Sequence, residues 1–96
     1  MDKDIKEVRA RLLISGRVQG VAFRYYTINM AQSLGINGWV KNCCDGKVEI
    51  VLEGEEDKVK ELIDWCYRGP GSAIVEKVDI KWEEHKREFN SFSIRG

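Results

Sequence analysis

The chain has 96 residues, a length that suits one compact domain with a single apolar core. Charged residues make up 33% of it and apolar residues 43%, a balance that excludes a disordered or a membrane-spanning chain. The 16 basic residues cancel the 16 acidic ones, so no bulk positive field is available for nucleic acid. We predict a single domain over residues 1–96, with neither a nucleic acid nor a membrane as partner.

The first seven residues mix Asp, Lys and Glu and contain no basic patch followed by an apolar run, so they do not resemble a secretory leader. We expect residues 1–7 to be a mobile tail and the protein to be cytoplasmic.

From residue 8 to residue 16, apolar side chains alternate with others. This alternation predicts a strand with one buried side, formed by Val8, Ala10, Leu12 and Ile14.

A loop with two glycines follows, and Phe23 then opens a helical segment that runs to Leu34, where Gly35 supplies a stop. Residues 36–41 and 47–53 are rich in β-forming side chains and are joined by a segment that contains Asp45-Gly46. An Asp-Gly step readily takes the positive φ of a hairpin turn, so these segments are predicted to pair as antiparallel strands, the second ending at Gly54.

The next apolar residues recur at helical spacing and predict an amphipathic helix: Val59, Leu62, Ile63 and Cys66. Residues 73–82 are predicted to form a fourth strand, residues 83–90 a charged connection and residues 92–95 a short terminal strand. This order is that of an α+β, ferredoxin-like βαββαβ sandwich, with a mainly antiparallel sheet and two helices on one face. Such a fold carries many unrelated activities, so the loops must decide the function.

The loop at residues 16–23 lies between a strand and a helix N-terminus, where unpaired N–H groups and the helix dipole favour an anion. Arg24, in the first helical turn, adds donors that suit a phosphate group. A Gly-x-x-x-Gly spacing is weak by itself, because the two glycines could merely shape a turn while Arg24 extends into solvent. No Walker pattern is present, so a nucleotide is not implied.

Two longer sequence motifs indicate the function more specifically than the glycine spacing does. Residues 16–24 read G-R-V-Q-G-V-A-F-R and residues 38–49 read G-W-V-K-N-C-C-D-G-K-V-E. They resemble the two signatures of the acylphosphatase family, and the tail F-S-I-R at residues 92–95 is similar to the family's end. The resemblance covers residues 8–95 and implies the same ferredoxin-like fold.

The resemblance also implies roles for individual residues. Arg24 matches the family's catalytic, phosphate-binding arginine, and Asn42 matches the asparagine that positions the attacking water. The backbone-donor loop that binds the substrate's phosphate matches Gln19, Gly20, Val21, Ala22 and Phe23. The expected substrate is a small acyl phosphate, the products are a carboxylate and inorganic phosphate, and no cofactor or metal is implied.

The chemistry of this substrate class needs few groups. A carboxylate leaving group, whose conjugate acid has a pKa of about 4, departs without protonation, so the loops need neither a histidine nor paired carboxylates. The phosphoryl group itself would accept the water proton. The alternative is a non-catalytic module that binds phosphate or carbamoyl phosphate, although such a module would not need Asn42.

The remaining candidate residues are not expected to take part in catalysis or metal binding. Cys43, Cys44 and Cys66 fit no disulfide framework and, with His85, no zinc spacing, so free thiols are expected. His85 is expected to be a solvated loop residue, and Asp45 to shape its turn. A monomer is the expected state.

Overall fold

Over residues 5–95, which this computed structural model describes, the chain forms five strands and two helices. In chain order they are β1 Glu7–Arg17, α1 Phe23–Leu34, β2 Asn37–Asn42, β3 Val48–Glu55, α2 Glu56–Cys66, β4 Ile74–Glu83 and β5 Phe92–Ile94. The predicted order of elements and the ferredoxin-like α+β fold are confirmed. The predicted tail falls partly on residues 1–4, which lie outside the described residues, and its last residue, Glu7, begins β1.

The strands form one mixed sheet in the order β4-β1-β3-β2-β5. β1 pairs antiparallel with both β3 and β4, β2 pairs antiparallel with β3, and β5 lies parallel to β2. Gly54 does not end β3 as predicted, because it still pairs with Val8 and the ladder continues to the pair Glu7 and Glu55. The C-terminal ends of β1 and β2 lie at the same end of the sheet, on either side of β3, and they carry the predicted phosphate loop and Asn42.

The helices cover one face of the sheet and enclose the core. The predicted inner face of β1 is confirmed, since Ala10, Leu12 and Ile14 have no exposed surface and Val8 keeps only 9%. The predicted apolar stripe of α2 is also buried, and Gly35 ends α1 in the left-handed conformation. Neither described helix has the length and apolar composition needed to cross a membrane.

The other face of the sheet is less exposed to solvent than the alternation of side chains in β1 predicts. Arg9 points to this face and is nevertheless buried, because the connection between β4 and β5 folds across it. The N–H groups of Lys86 and Glu88 in that connection donate to the Glu53 carboxylate at 3.0 Å each. The expectation of a solvated His85 is wrong, since the ring is half-buried and its Nε2 lies 3.2 Å from Oε1 of Glu7.

Candidate active site

The predicted phosphate loop begins where β1 leaves the sheet. The pairing of β1 with β3 ends at Ile14 and Val48, and the pairing with β4 shifts register between Ser15 and Gly16. Gly16 has φ of 124°, and a Cβ atom there would overlap the carbonyl oxygen of Ile74. Glycine is therefore required at this bend, because it alone tolerates both the backbone angle and the close approach.

The start of α1 lacks the features that normally stabilise a helix N-terminus. Ala22 occupies the N-cap in the left-handed conformation, with φ of 62°, and offers no side chain to the free N–H groups. The first turn contains no acidic residue and instead carries the cation Arg24, which the helix dipole disfavours there. By contrast, α2 begins with Glu56 and Asp57. The start of α1 thus concentrates positive potential that a bound anion would offset.

The backbone donors at this end of α1 are free. Within residues 5–95, no carbonyl or side-chain acceptor receives a hydrogen bond from the N–H groups of residues 20–25, and the first helical bond is donated by Tyr26 to Ala22. Unpaired N–H groups of a loop and a helix N-terminus together form an anion-binding concavity. This geometry fits a phosphoryl group.

Asn42 lies at the opposite side of the same cleft, as the last residue of β2. Its Oδ1 atom is buried and is the one buried side-chain polar atom, among those of the described residues, without a hydrogen-bond partner. An unsatisfied buried carbonyl oxygen costs about 1–3 kcal/mol, so such an atom calls for a ligand or a water molecule. Asn42 thus brings an unpaired hydrogen-bond acceptor to the wall of the cleft.

The cleft that joins these groups has a volume of about 160 Å³. Its walls are formed by Val18, Gly20, Ala22, Phe23, Arg24, Tyr25, Asn42 and Ile94. Arg24 is half-buried and takes part in none of the ion pairs found among the described residues, whereas Arg9 and Arg11 on the far face each pair with more than one carboxylate. The guanidinium of Arg24 is therefore available for an external anion.

The predicted site residues divide into three groups. Gly20, Ala22, Phe23, Arg24 and Asn42 all line the cleft. Val21 packs instead against the apolar core, and the Gln19 side chain turns toward the hairpin that follows Asn42. Both residues belong to the loop without lining the cleft.

Three residues that line the cleft were not predicted from the sequence. Val18 lies within the first motif and Tyr25 directly follows it, so their position in the sequence alone could have suggested them. Ile94 arrives through the parallel pairing of β5 with β2, where it lies opposite Val40. No local signal in the sequence announces that contact.

Phe23 anchors the loop to the body of the protein. Its ring is 1% exposed and lies 5.3 Å from the Trp65 ring, centroid to centroid, while Gly69 leaves room beside it. A buried aromatic ring at the first helical residue fixes where α1 begins. The free N–H groups are thereby held in place before any ligand binds.

The neighbouring polar residues have structural tasks. Asp45 accepts a hydrogen bond from the N–H of Lys47 at 3.1 Å, which confirms its predicted role in the turn. All three cysteines are free, as predicted. Burial raises the pKa of Cys66, and burial together with the carboxylates of Glu49 and Asp45 raises that of Cys43. Neither thiol is favoured as a nucleophilic thiolate.

Comparison with known proteins agrees with this geometry. A family model described as acylphosphatase matches residues 10–94. A curated acylphosphatase from Roseiflexus sp. (strain RS-1) is 51% identical over 86 residues, which cover 90% of this chain and 92% of that relative. The solved acylphosphatases from Coxiella burnetii and Bacillus subtilis superpose with TM-scores of 0.88 and 0.89 at 36% and 32% identity. Each match covers 93% of this chain, and 93% and 99% of the respective relatives.

Proposed function

The chain belongs to the acylphosphatase family, and on that premise we propose that its cleft hydrolyses the carboxyl–phosphate bond of acyl phosphates, with Arg24 and Asn42 as catalytic residues. The products are a carboxylate and inorganic phosphate. The backbone N–H groups of residues 20–25 and the Arg24 guanidinium bind the phosphoryl oxygens, and Asn42 orients the attacking water.

The observation that carries this proposal is the orphaned Oδ1 atom of Asn42. A carboxamide oxygen accepts a hydrogen bond but cannot take up a proton at neutral pH, so its contribution is alignment of the water rather than general-base catalysis. A module that only binds phosphate gains nothing from a buried acceptor at this position. The atom therefore supports an enzyme over a binding module.

The rest of the cleft supplies charge stabilisation. In the transition state, negative charge spreads over the phosphoryl oxygens, where preorganised N–H donors and a guanidinium are already aimed. The described residues that line the cleft include no Asp, Glu, His or Cys. A group of donors without an acid suits a leaving group that departs as a carboxylate, because an alkoxide leaving group would need a proton.

The proton of the attacking water then passes to the substrate. Because no Asp, Glu, His or Cys is among the described residues that line the cleft, a phosphoryl oxygen is the acceptor within reach, and the water oxygen forms the new P–O bond as the carboxylate oxygen leaves. Turnover should accordingly lack a steep dependence on an enzyme base near neutral pH. A sharp basic limb that disappears in a single-residue variant would contradict this step.

The substrate class is tested by comparing two phosphates in the same protein. Benzoyl phosphate hydrolysis is followed by the loss of absorbance, and glycerol phosphate hydrolysis by the release of inorganic phosphate. We expect rapid turnover of the mixed anhydride and essentially none of the monoester. A folded protein that binds inorganic phosphate but hydrolyses neither compound would contradict the proposed function and support the binding module.

A further inference from the structure

The Gln19 side chain connects the two halves of the cleft. Its Nε2 atom donates hydrogen bonds to the carbonyl oxygens of Cys43 at 2.7 Å and of Lys47 at 2.8 Å. Both amide hydrogens are thus used, on acceptors 24 and 28 residues away in sequence. Two donors from one planar group fix the orientation as well as the distance of the loop.

Both acceptors belong to the tight hairpin that begins directly after Asn42. The hairpin is closed by the N–H of Cys43, which donates to Lys47 at 2.8 Å, and by the N–H of Gly46, which donates to Cys43 at 3.2 Å. The two carbonyls that Gln19 contacts are therefore held rigidly with respect to each other. A displacement of the Gln19 amide would therefore require the whole hairpin to move with it, or both hydrogen bonds to break.

The sheet does not provide this link. The ladder between β1 and β3 ends at Ile14 and Val48, and beyond the bulge at Gly16 the chain pairs only with β4, on the side away from β2. Within residues 5–95, the bonds from Gln19 are those that join residues 18–22 to residues 43–47. Gln19 is therefore the one side chain that joins the phosphate loop to the hairpin after Asn42 by hydrogen bonds among the described residues, in addition to the packing of Phe23 in the core.

We infer that the Gln19 amide is a positioning residue for the hydrolysis reaction: it sets the distance between the bound phosphoryl group and the water held by Asn42. This inference rests on the proposed function. In-line attack requires the reacting atoms to lie within a narrow range of distances, and a misplacement of about 1 Å lowers a rate by about 100-fold. The N–H donors proposed to bind phosphate are backbone groups of the loop and do not include the Gln19 side chain.

Gln19→Met tests the inference, because methionine keeps the length and volume of the side chain but donates no hydrogen bond. We expect kcat for benzoyl phosphate to fall by about 10- to 100-fold, while the inhibition constant of inorganic phosphate changes less than about two-fold. Gln32→Met is the matched control, since Gln32 is exposed on α1 and its side chain makes no hydrogen bond among the described residues. It should behave like the parent.

A second arm asks whether Gln19 acts through Asn42. In an Asn42→Ala background, Gln19→Met should lower kcat by much less than it does in the parent, because no positioned water remains to be displaced. Equal losses in both backgrounds would overturn the inference, as would parental kcat in Gln19→Met. So would a loss of phosphate affinity that matches the loss of kcat, which would indicate collapse of the loop.

A replacement variant and the activity of the parent protein keep the test decisive. If Gln19→Met does not fold, Gln19→Asn replaces it, because the shorter amide cannot reach both carbonyls and should give the same split between kcat and phosphate affinity. If the parent hydrolyses benzoyl phosphate and Gln19→Met does so equally well, only this inference fails. If the folded parent hydrolyses no acyl phosphate, the proposed function itself fails.

Discussion

Arg24 occupies a position that a helix designed only for stability would give to an acidic residue. A cation in the first turn opposes the helix dipole, and Ala22 in the left-handed conformation adds backbone strain at the same point. Two locally unfavourable choices within three residues are expected where function, rather than stability, selects the sequence. Under the proposed function, a bound phosphoryl group would offset the positive charge and accept hydrogen bonds from the free N–H groups.

Replacing Arg24 by alanine should therefore weaken both phosphate binding and turnover. Loss of one preorganised donor costs about 3–4 kcal/mol in the transition state, so we expect kcat/KM to fall by about 100- to 1,000-fold. The measurements are benzoyl phosphate kinetics and the inhibition constant of inorganic phosphate. Arg68→Ala, at an exposed arginine beyond α2, is the control and should match the parent. Unchanged phosphate affinity in Arg24→Ala would contradict the assigned contact.

At the scale of elements, the sequence predicts best what depends on local periodicity. The alternation in β1, the apolar stripe of α2 and the stop at Gly35 all follow from side chains a few residues apart, and all are found in the structure. The burial of Arg9 and the contact of Ile94 with the cleft depend on chain segments that pack together from distant parts of the sequence. Such contacts leave no periodic signal.

The bulge that releases the phosphate loop from β1 should be intolerant of any side chain. Gly16→Ala would require both an unfavourable backbone angle and displacement of the β4 backbone at Ile74, so we expect a loss of about 2–4 kcal/mol in the free energy of unfolding. Denaturant unfolding measures it. Gly71→Ala, where an added Cβ meets no atom within 4 Å, should be close to neutral. Equal stabilities for the two variants would contradict the proposed constraint.

At the scale of the whole molecule, one ionic cluster fastens the connection between β4 and β5 to the open face of the sheet. Arg9 contacts Glu53 at 3.2 Å, Glu83 at 2.9 Å and Glu88 at 2.7 Å. Burial would raise the pKa of Glu53, but the N–H groups of Lys86 and Glu88 and the Arg9 guanidinium outweigh it. The pKa of Glu53 therefore lies below its ordinary value. The cluster thereby ties the last third of the chain to β1 and β3.

This cluster should make stability fall in acid. Because the folded-state pKa of Glu53 is lowered from the ordinary value of 4.5, its contribution is fully present above about pH 4.5 and is lost as the pH falls through the folded value. We expect Glu53→Gln to lose about 3 kcal/mol of unfolding free energy at neutral pH and to decline less steeply in acid. Urea unfolding across the acid range measures both effects.

The control for this prediction is Glu61→Gln, which changes an exposed carboxylate of α2 that forms no ion pair with the described residues. It should keep the stability and the acid dependence of the parent. If Glu53→Gln retained the full acid dependence of the parent, other carboxylates would have to carry it.

The cleft itself was foreseeable only in part. The two motifs single out Arg24 and Asn42 as residue types suited to phosphate and water, but their convergence depends on the sheet order that places β1 and β2 on either side of β3. The bonds from Gln19 to Cys43 and Lys47 could not be predicted, because a glutamine in a loop offers no sequence signal for its partners. Geometry, rather than residue type, identifies its task.

The most direct test of the central claim is to measure kcat and phosphate affinity side by side in Asn42→Ala, with Asn29→Ala on the exposed face of α1 as the control. If Asn42 positions the attacking water, kcat for benzoyl phosphate should fall by about 100- to 1,000-fold, while the dissociation constant of inorganic phosphate stays within about two-fold of the parent's. Parental turnover in a folded Asn42→Ala protein would contradict the assignment of the orphaned carbonyl oxygen and, with it, the proposed mechanism.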